Sequence, residues 1–396
     1  MPVLLQIDSC LNMLSTGRIS ESIAKLAIQR GWDCYIIHGA RYARPGSCMH
    51  SIQAVSKVGE YTHYIESLLL DKHGLSSRNS TKRVIEQIKQ IKPDVIQLHC
   101  VHGYYINYKI LFEYLNTTNI PVVWTFHDCW AFTGHCAHFV TVGCQKWKSG
   151  CYDCPLKGDY PKSITDRSDR NYNIKKTLFS ANNNLHIVAV SEWLASFTRQ
   201  SFLGNKKIKV INNGVDICQF KPYGKKPSDI FKIIGVASSW NKDKGLLDFY
   251  KMREMLPGEY EFTLVGLTTQ QVEELPSGIK GITRTDSIDE LAKLYSEADV
   301  FVNPTYADSF PTVNMEALAC GTPVITYRTG GSPEIIDNKT GVVIEQGDIE
   351  GLVAAIREMK DHPLSSEDCR NRAVEMFDKD KRFADYVNLY EQLIKK

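Results

Sequence analysis

No apolar run in these 396 residues approaches the ~20 that a membrane-spanning helix needs, since the stretch from Leu11 to Ile36 is broken by Arg18, Glu21, Lys25 and Arg30. No sign of charge dominates either. Forty-seven Lys and Arg against 45 Asp and Glu leave a formal +2, which excludes the electrostatic footprint of a nucleic-acid binder. Collagen-like, disordered and basic-tail classes are excluded by a composition 43% hydrophobic and 10% aromatic, which supplies material for more than one core. At about 150 residues per domain the length predicts two domains. The apolar start Val3–Ile7 has no basic residues ahead of it and is too short for a secretory segment, so it reads as a first strand and the protein is expected to be cytoplasmic.

What is present is an alternation of strand and helix patterns. Val3–Ile7 is followed by a polar turn ending in Ser15-Thr16-Gly17, then by an amphipathic segment with Ile19, Ile23, Leu26 and Ala27 at helical spacing, closed by Gly31. Strands are predicted at Cys34–Ile37, Asp94–Leu98, Pro121–Phe126, His186–Val190 and Ile208–Ile211, with helices over Thr81–Ile91, Ile110–Leu115 and Lys175–Ala181, and a further one capped by Ser191. The Lys-, Pro-, Gly- and Ser-rich stretch Lys221–Asp229 reads as a linker. The pattern restarts at Phe231–Val236, with later strands at Phe262–Val265, Val300–Val302 and Pro323–Thr326. Such alternation predicts two tandem, doubly wound α/β domains of Rossmann-like type with mostly parallel sheets, strand ends converging on a cleft. The boundaries expected are 1–218 with a Cys-rich insert at about 129–160, then 219–376, and a final helix over 377–396 crossing back to the first domain.

The most informative segment follows the strand Val300–Val302. Asp308 lies in a strand-to-helix loop and Glu316 in the helix that this loop opens, with Gly321 suited to a left-handed C-terminal position and Pro323 unable to continue the helix. A helix N-terminus at a strand's carboxyl end offers N–H groups and partial positive charge to a phosphate. On spacing alone, Glu316 as a dipole-complementing acid and Asp308 as a turn residue are an equal reading.

Asp308-x7-Glu316, with Ala317-Leu318-Ala319-Cys320-Gly321-Thr322-Pro323-Val324 and Gly330-Gly331-Ser332-Pro333-Glu334 after it, resembles the donor-site signature of the retaining glycosyltransferases of family 4, which have the GT-B fold. Val210–Asp216 with Phe220-Lys221-Pro222 is similar to the family's inter-domain segment, Asp243-Lys244-Gly245 to its phosphate-binding lysine, and Trp124-Thr125-Phe126-His127-Asp128 to its strand-end histidine. The resemblance spans about Val3 to Leu393 and is to the capsule, colanic acid and O-antigen enzymes of bacteria. It implies transfer of a hexose-type sugar, with retention, from a UDP- or GDP-sugar to a saccharide or lipid-linked acceptor, without a catalytic metal. Lys244 would neutralise the pyrophosphate, and the backbone of Phe310, Pro311, Thr312 and Val313 would line it. Glu316 would accept from the ribose hydroxyls, and Asp308 would face the donor sugar. His127 would lie near the acceptor oxygen, and Gly17 would let a first-domain loop approach the phosphates. Retention is expected through front-face attack, with no protein nucleophile. The chain departs from the family at Asp308, commonly Glu, at Ser309-Phe310-Pro311, commonly glycine-rich, and at Ser239, commonly Arg; Lys242 or Arg328 would then supply the second charge. A nucleotide-sugar epimerase of the same fold and an inactive sugar-nucleotide-binding scaffold are the alternative functions.

Cysteine is plentiful, at twelve residues, and clustered. Cys136-x7-Cys144-x6-Cys151-x2-Cys154 has the Cys-x2-Cys spacing that lets two sulfurs reach one tetrahedral Zn²⁺. A structural zinc is expected, with His135 and His138 as alternative ligands and local disulfides or packed free thiols as rival readings. Lys82, Arg83, Lys89, Lys92, Lys146, Lys148, Lys175 and Lys176, with Tyr104, Tyr105 and Tyr108 among them, are expected to offer a peripheral membrane-docking face.

Overall fold

The computed structural model describes residues 1–224, 228–256 and 258–395. The chain folds into two compact units, one made of Met1–Asn212 with the residues from Phe383 onward, the other of Asn213–Arg382. The second unit thus begins at Asn213, before the expected residue 219. Val215 bridges Asp378 and its N–H donates to the carbonyl of Phe377, which fastens this segment to the second unit. Residues 225–227 of the predicted linker lie outside those described.

The first unit carries seven strands: β1 (Val3–Leu11), β2 (Asp33–Ala43), β3 (His50–Gln53), β4 (Val95–Leu98), β5 (Val122–Phe126), β6 (Leu185–Ala189) and β7 (Lys207–Val210). They form one parallel sheet in the order β3-β2-β1-β4-β5-β6-β7. The second unit has β8 (Phe231–Val236), β9 (Tyr260–Val265), β10 (Ile279–Ile282), β11 (Val300–Asn303), β12 (Val324–Tyr327) and β13 (Gly341–Ile344), parallel in the order β10-β9-β8-β11-β12-β13. The central strands β4, β5, β11 and β12 are buried along their whole length, as strands covered by helices on both faces must be. That cover follows from the sequence pattern: helix Arg78–Ile91 turns Thr81, Val84, Ile85 and Ile88 inward, and helix Ile349–Asp361 turns Leu352, Val353, Ile356 and Met359 inward, both at the three-to-four spacing of one helical face. In the first unit the last helical stretch buries Phe383, Tyr386, Val387 and Tyr390, each worth roughly 1.5–3 kcal/mol of transfer free energy. The Tyr390 hydroxyl donates to Gln97 Oε1 at 2.9 Å.

Several expectations are corrected. β1 runs to Leu11 instead of ending at Ile7, because it continues to pair with β2 through Leu11 and Ala43 past a register shift. Gly17 therefore sits in helix Leu14–Gln29, not in a loop. Strands β3, β10 and β13 and helix Lys57–Leu70 went unpredicted; β3 is largely exposed, so its sequence carries little apolar signal. The helix expected over Lys175–Ala181 begins seven residues earlier, at Ser168.

Candidate active site

In both sheets the chain reverses its winding direction at the centre, between β1 and β4 and between β8 and β11. Ligands of open α/β sheets bind at the carboxyl ends of the strands flanking such a point. In the second unit β8 leads to a single turn, Lys242–Lys244, closed by Gly245 with φ +72°. A side chain at Gly245 would overlap the carbonyl of Pro304, so glycine lets this turn press on the loop after β11. Tyr306 N–H and Thr305 Oγ1 donate to the Asp243 carbonyl at 2.7 and 3.0 Å, stitching the two loops together. The outcome is an ion pair: Lys244 Nζ lies 2.8 Å from Asp308 Oδ2, both partly exposed. Asp308 Oδ1 accepts the Phe310 N–H at 3.1 Å. From the other side Gly330, φ +54°, packs against the Asp308 carbonyl where no Cβ fits, and Gly331 N–H donates to the Ser309 carbonyl at 3.1 Å. Three loops thus clamp Asp308.

Helix Thr312–Ala319 opens directly after this clamp. Its N-cap is Pro311, which has no side-chain cap to offer, so the first-turn N–H groups look outward for an acceptor. The expected backbone group is narrowed: Pro311 has no N–H and that of Phe310 serves Asp308, leaving Thr312 and Val313 as donors. Glu316 sits one turn inside the helix and is half-buried; its Oε2 accepts from the Tyr295 hydroxyl at 3.2 Å. Burial, then the charge of Glu316, push that hydroxyl's pKa well above its usual value. Ser309 Oγ, Ser332 Oγ, Asn213 Oδ1 and Asn314 Nδ2 are buried around the same loops without a hydrogen-bond partner. Arg328, one expected replacement for the arginine missing at Ser239, instead pairs at the surface with Glu345 at 2.6 Å.

In the first unit β5 delivers His127, whose ring stacks on His99 at 5.6 Å with its Nε2 3.3 Å from His99 Nδ1. Gln6 fixes the protons of this chain. Its Nε2 donates to the Ser20 carbonyl at 2.8 Å, so its Oε1, 2.9 Å from His99 Nε2, is the acceptor. His99 then carries its proton on Nε2 and accepts on Nδ1 from His127 Nε2–H, which assigns His127 the tautomer with an accepting Nδ1. Burial lowers the pKa of His127 to about 4, so the ring is neutral at neutral pH. Asp128 Oδ2 lies 3.0 Å from His102 Nε2. Burial raises its pKa, but the charge and hydrogen bond of His102, with His138 and the Trp130 N–H, outweigh this and hold it low. Around His102 gather Trp130, Tyr160 and His73, with ring centroids 5.1–5.9 Å apart. Within β1, Asp8 is fully buried, its Oδ2 unpartnered, and burial raises its pKa to about 6. Gly17 lies in the first turns of helix Leu14–Gln29, where a Cβ would meet Cys10 and Asn12.

Comparison with known proteins decides the family. The description "Glycosyltransferase Family 4" matches residues 17–219, more than half of the chain, and "Glycosyl transferases group 1" matches residues 231–362. The chain belongs to glycosyltransferase family 4. It is 24% identical over 98% of its length, and 100% of the relative's, to the putative colanic acid biosynthesis glycosyl transferase WcaC of Escherichia coli. Among solved structures it is similar to sucrose-phosphate synthase of Thermosynechococcus elongatus, with a TM-score of 0.72 at 16% identity over the whole of both chains. Anabaena HepE in complex with UDP-glucose matches with a TM-score of 0.61 at 17% identity, over 97% of this chain and 99% of that one. The fold is GT-B, and the protein is a glycosyltransferase.

The structure of this glycosyltransferase brings together Lys244, Asp308 and the helix holding Glu316, and adds Tyr295 to them. In the first unit it adds His73 and, next to His127 and Asp128, His99 and His102. The last two follow β4 as His99-x2-His102, the same strand-end position that singled out His127, and that position is the signal by which they were legible. The predicted docking face loses three members, because Lys175, Tyr105 and Tyr108 are buried. Lys175 Nζ donates to the carbonyls of Trp130 and Thr133 at 2.6 and 3.0 Å. No helix among the described residues is long and apolar enough to cross a membrane.

Proposed function

We propose that this glycosyltransferase moves a hexose-type sugar, with retention, from a UDP- or GDP-sugar to a lipid-linked saccharide in the assembly of a surface polysaccharide. The observation that carries the donor half is the Lys244–Asp308 pair at the mouth of helix Thr312–Ala319. A pyrophosphate there meets the Lys244 ammonium and the Thr312 and Val313 N–H groups, charge stabilisation that strengthens as the leaving group departs and that needs no metal. Glu316, held by Tyr295, accepts from the ribose hydroxyls. Asp308, paired with Lys244 and bonded to the Phe310 N–H, faces the donor sugar, which is transferred by front-face attack with no protein nucleophile. In the first unit His127 offers its Nδ1 to the hydroxyl proton of the acceptor. The colanic acid relative supports the polysaccharide acceptor, and the HepE complex supports a UDP-sugar.

The test is a panel of nucleotide sugars incubated with the enzyme and lipid-linked or free saccharides, with and without EDTA. Nucleotide release is scored for wild type, Lys244→Ala and Glu316→Ala, and the anomeric configuration of the product is read by NMR. Release from one donor that survives EDTA, drops in both variants and gives a retained anomer is expected. An inverted product, an epimerised donor without acceptor, or turnover indifferent to both substitutions overturns the reading.

A further inference from the structure

Residues 127–167, between β5 and β6, pass through three short turns, Trp130–Phe132, Val140–Val142 and Lys146–Lys148. They carry a small core of their own: Phe139 stacks on Trp147 at 4.9 Å and both meet Phe132. The transfer chemistry uses the start of this insert, at His127 and Asp128, and none of its cysteines. Yet it folds Cys136, Cys144, Cys151 and Cys154 around one cavity, together with His135. The Gly134 N–H donates to Cys151 Sγ at 3.2 Å, the backbone contact that a metal-bound thiolate receives. No disulfide forms.

Two buried groups, His135 and Lys175, stand beside these thiols. His135 is buried with Nδ1 2.7 Å from Asp71 Oδ1, and its Nε2, on the cavity, has no hydrogen-bond partner. Lys175 is buried with two carbonyls and no carboxylate among its hydrogen-bond acceptors, and Cys151 and Cys136 are the ionisable groups that act on it most strongly. An interior ammonium beside neutral thiols is costly. A dianionic centre in the cavity would balance it.

We propose that Cys136, Cys144, Cys151 and Cys154 bind one Zn²⁺ as a tetrathiolate that closes this insert. Binding converts four thiols to thiolates and releases four protons to solvent, and Zn²⁺ with four thiolates carries a net charge of −2. Among the described residues no three His, Cys, Asp or Glu side chains stand close enough to share an ion. Binding therefore requires side-chain rotation that brings the four sulfurs onto one ion. Four thiolates leave no open position for catalysis.

The test is metal content of the full chain, purified without added zinc and with any affinity tag removed, together with thiol titration. About one zinc per chain is expected, released as four thiols are titrated by an organomercurial. Cys136→Ser and Cys151→Ser should fall at least fivefold in zinc, and Cys48→Ser and Cys218→Ser, at exposed thiols elsewhere, should hold the wild-type amount. Should the cluster variants fail to fold, wild type grown with cobalt should show thiolate-to-metal charge-transfer absorption of a tetrahedral site. Zinc below a tenth of an equivalent with reactive or disulfide-bonded cluster thiols overturns the proposal. So does zinc that survives both cluster substitutions, and loss of zinc in His135→Gln would overturn the tetrathiolate assignment.

Discussion

Replacing Lys244 by Ala tests the donor site most directly, because in the structure this ammonium already has a partner. Its pair with Asp308 at 2.8 Å is partly exposed at both ends, so it is worth no more than about 1 kcal/mol to stability. A pyrophosphate charge about 4 Å from the ammonium at an effective dielectric near 20 is worth about 4 kcal/mol. Taking away the pair that must be broken or shared leaves a net loss of about 3 kcal/mol, on the order of a hundredfold in kcat/KM. Asp308→Asn should act the other way on binding: freeing Lys244 tightens the affinity for the nucleoside diphosphate by about twofold to fivefold, the worth of an exposed pair, even as turnover falls with loss of the sugar contact. Calorimetry with UDP and GDP on wild type, both variants and Lys244→Arg, alongside steady-state kinetics, measures these terms separately, and thermal melts confirm the fold. Nucleoside diphosphate affinity unchanged in Lys244→Ala, or weakened in Asp308→Asn, would refute the placement of the pyrophosphate.

Gly330→Ala forces a Cβ onto the Asp308 carbonyl from a left-handed backbone, and should cost about 2 kcal/mol or more of stability by the overpacking scale with near-complete loss of transfer, read by thermal denaturation and donor turnover. Tyr295→Phe deletes the 3.2 Å hydroxyl contact to Glu316 and should weaken the nucleotide by about 1 kcal/mol, close to fivefold, with less effect on a 2′-deoxyribose donor, as competition binding would show. Asp8, lifted from 3.8 to about 6 by burial, binds its proton more tightly folded than unfolded. It contributes stability that is fully present below pH 3.8 and lost as pH rises through 6, about 3 kcal/mol at 1.36 per unit. Urea titrations from pH 4 to 8 should show Asp8→Asn gaining on wild type by that order, and parallel curves would contradict it. His127, held near 4 by burial, should leave no inflection in the pH–rate profile near 6.5, and its ¹⁵N shifts should report a proton on Nε2.

The alternation of strand and helix, the two-domain plan and the strand-end residues His127, Lys244 and Asp308 were legible because each rests on local periodicity or on position after a strand. Strand β3 was illegible for the converse reason: its half-exposed residues carry no alternation. Gly17 was misplaced because β1 is prolonged by pairing with β2, a contact between residues some thirty positions apart that no local pattern encodes.

The sequence by itself determined the family, the parallel α/β plan and the residue types at the strand ends, because hydrophobic spacing and turn chemistry act over a few residues. Tertiary structure alone decided which polar groups meet. It paired Lys244 with Asp308 across 64 positions, chained Gln6, His99 and His127 from three different strands, and buried Lys175 and His135 beside the cysteines of the insert. Electrostatics and hydrogen bonding act through space between strands that the sheet order makes neighbours, and that order is a property of the folded chain.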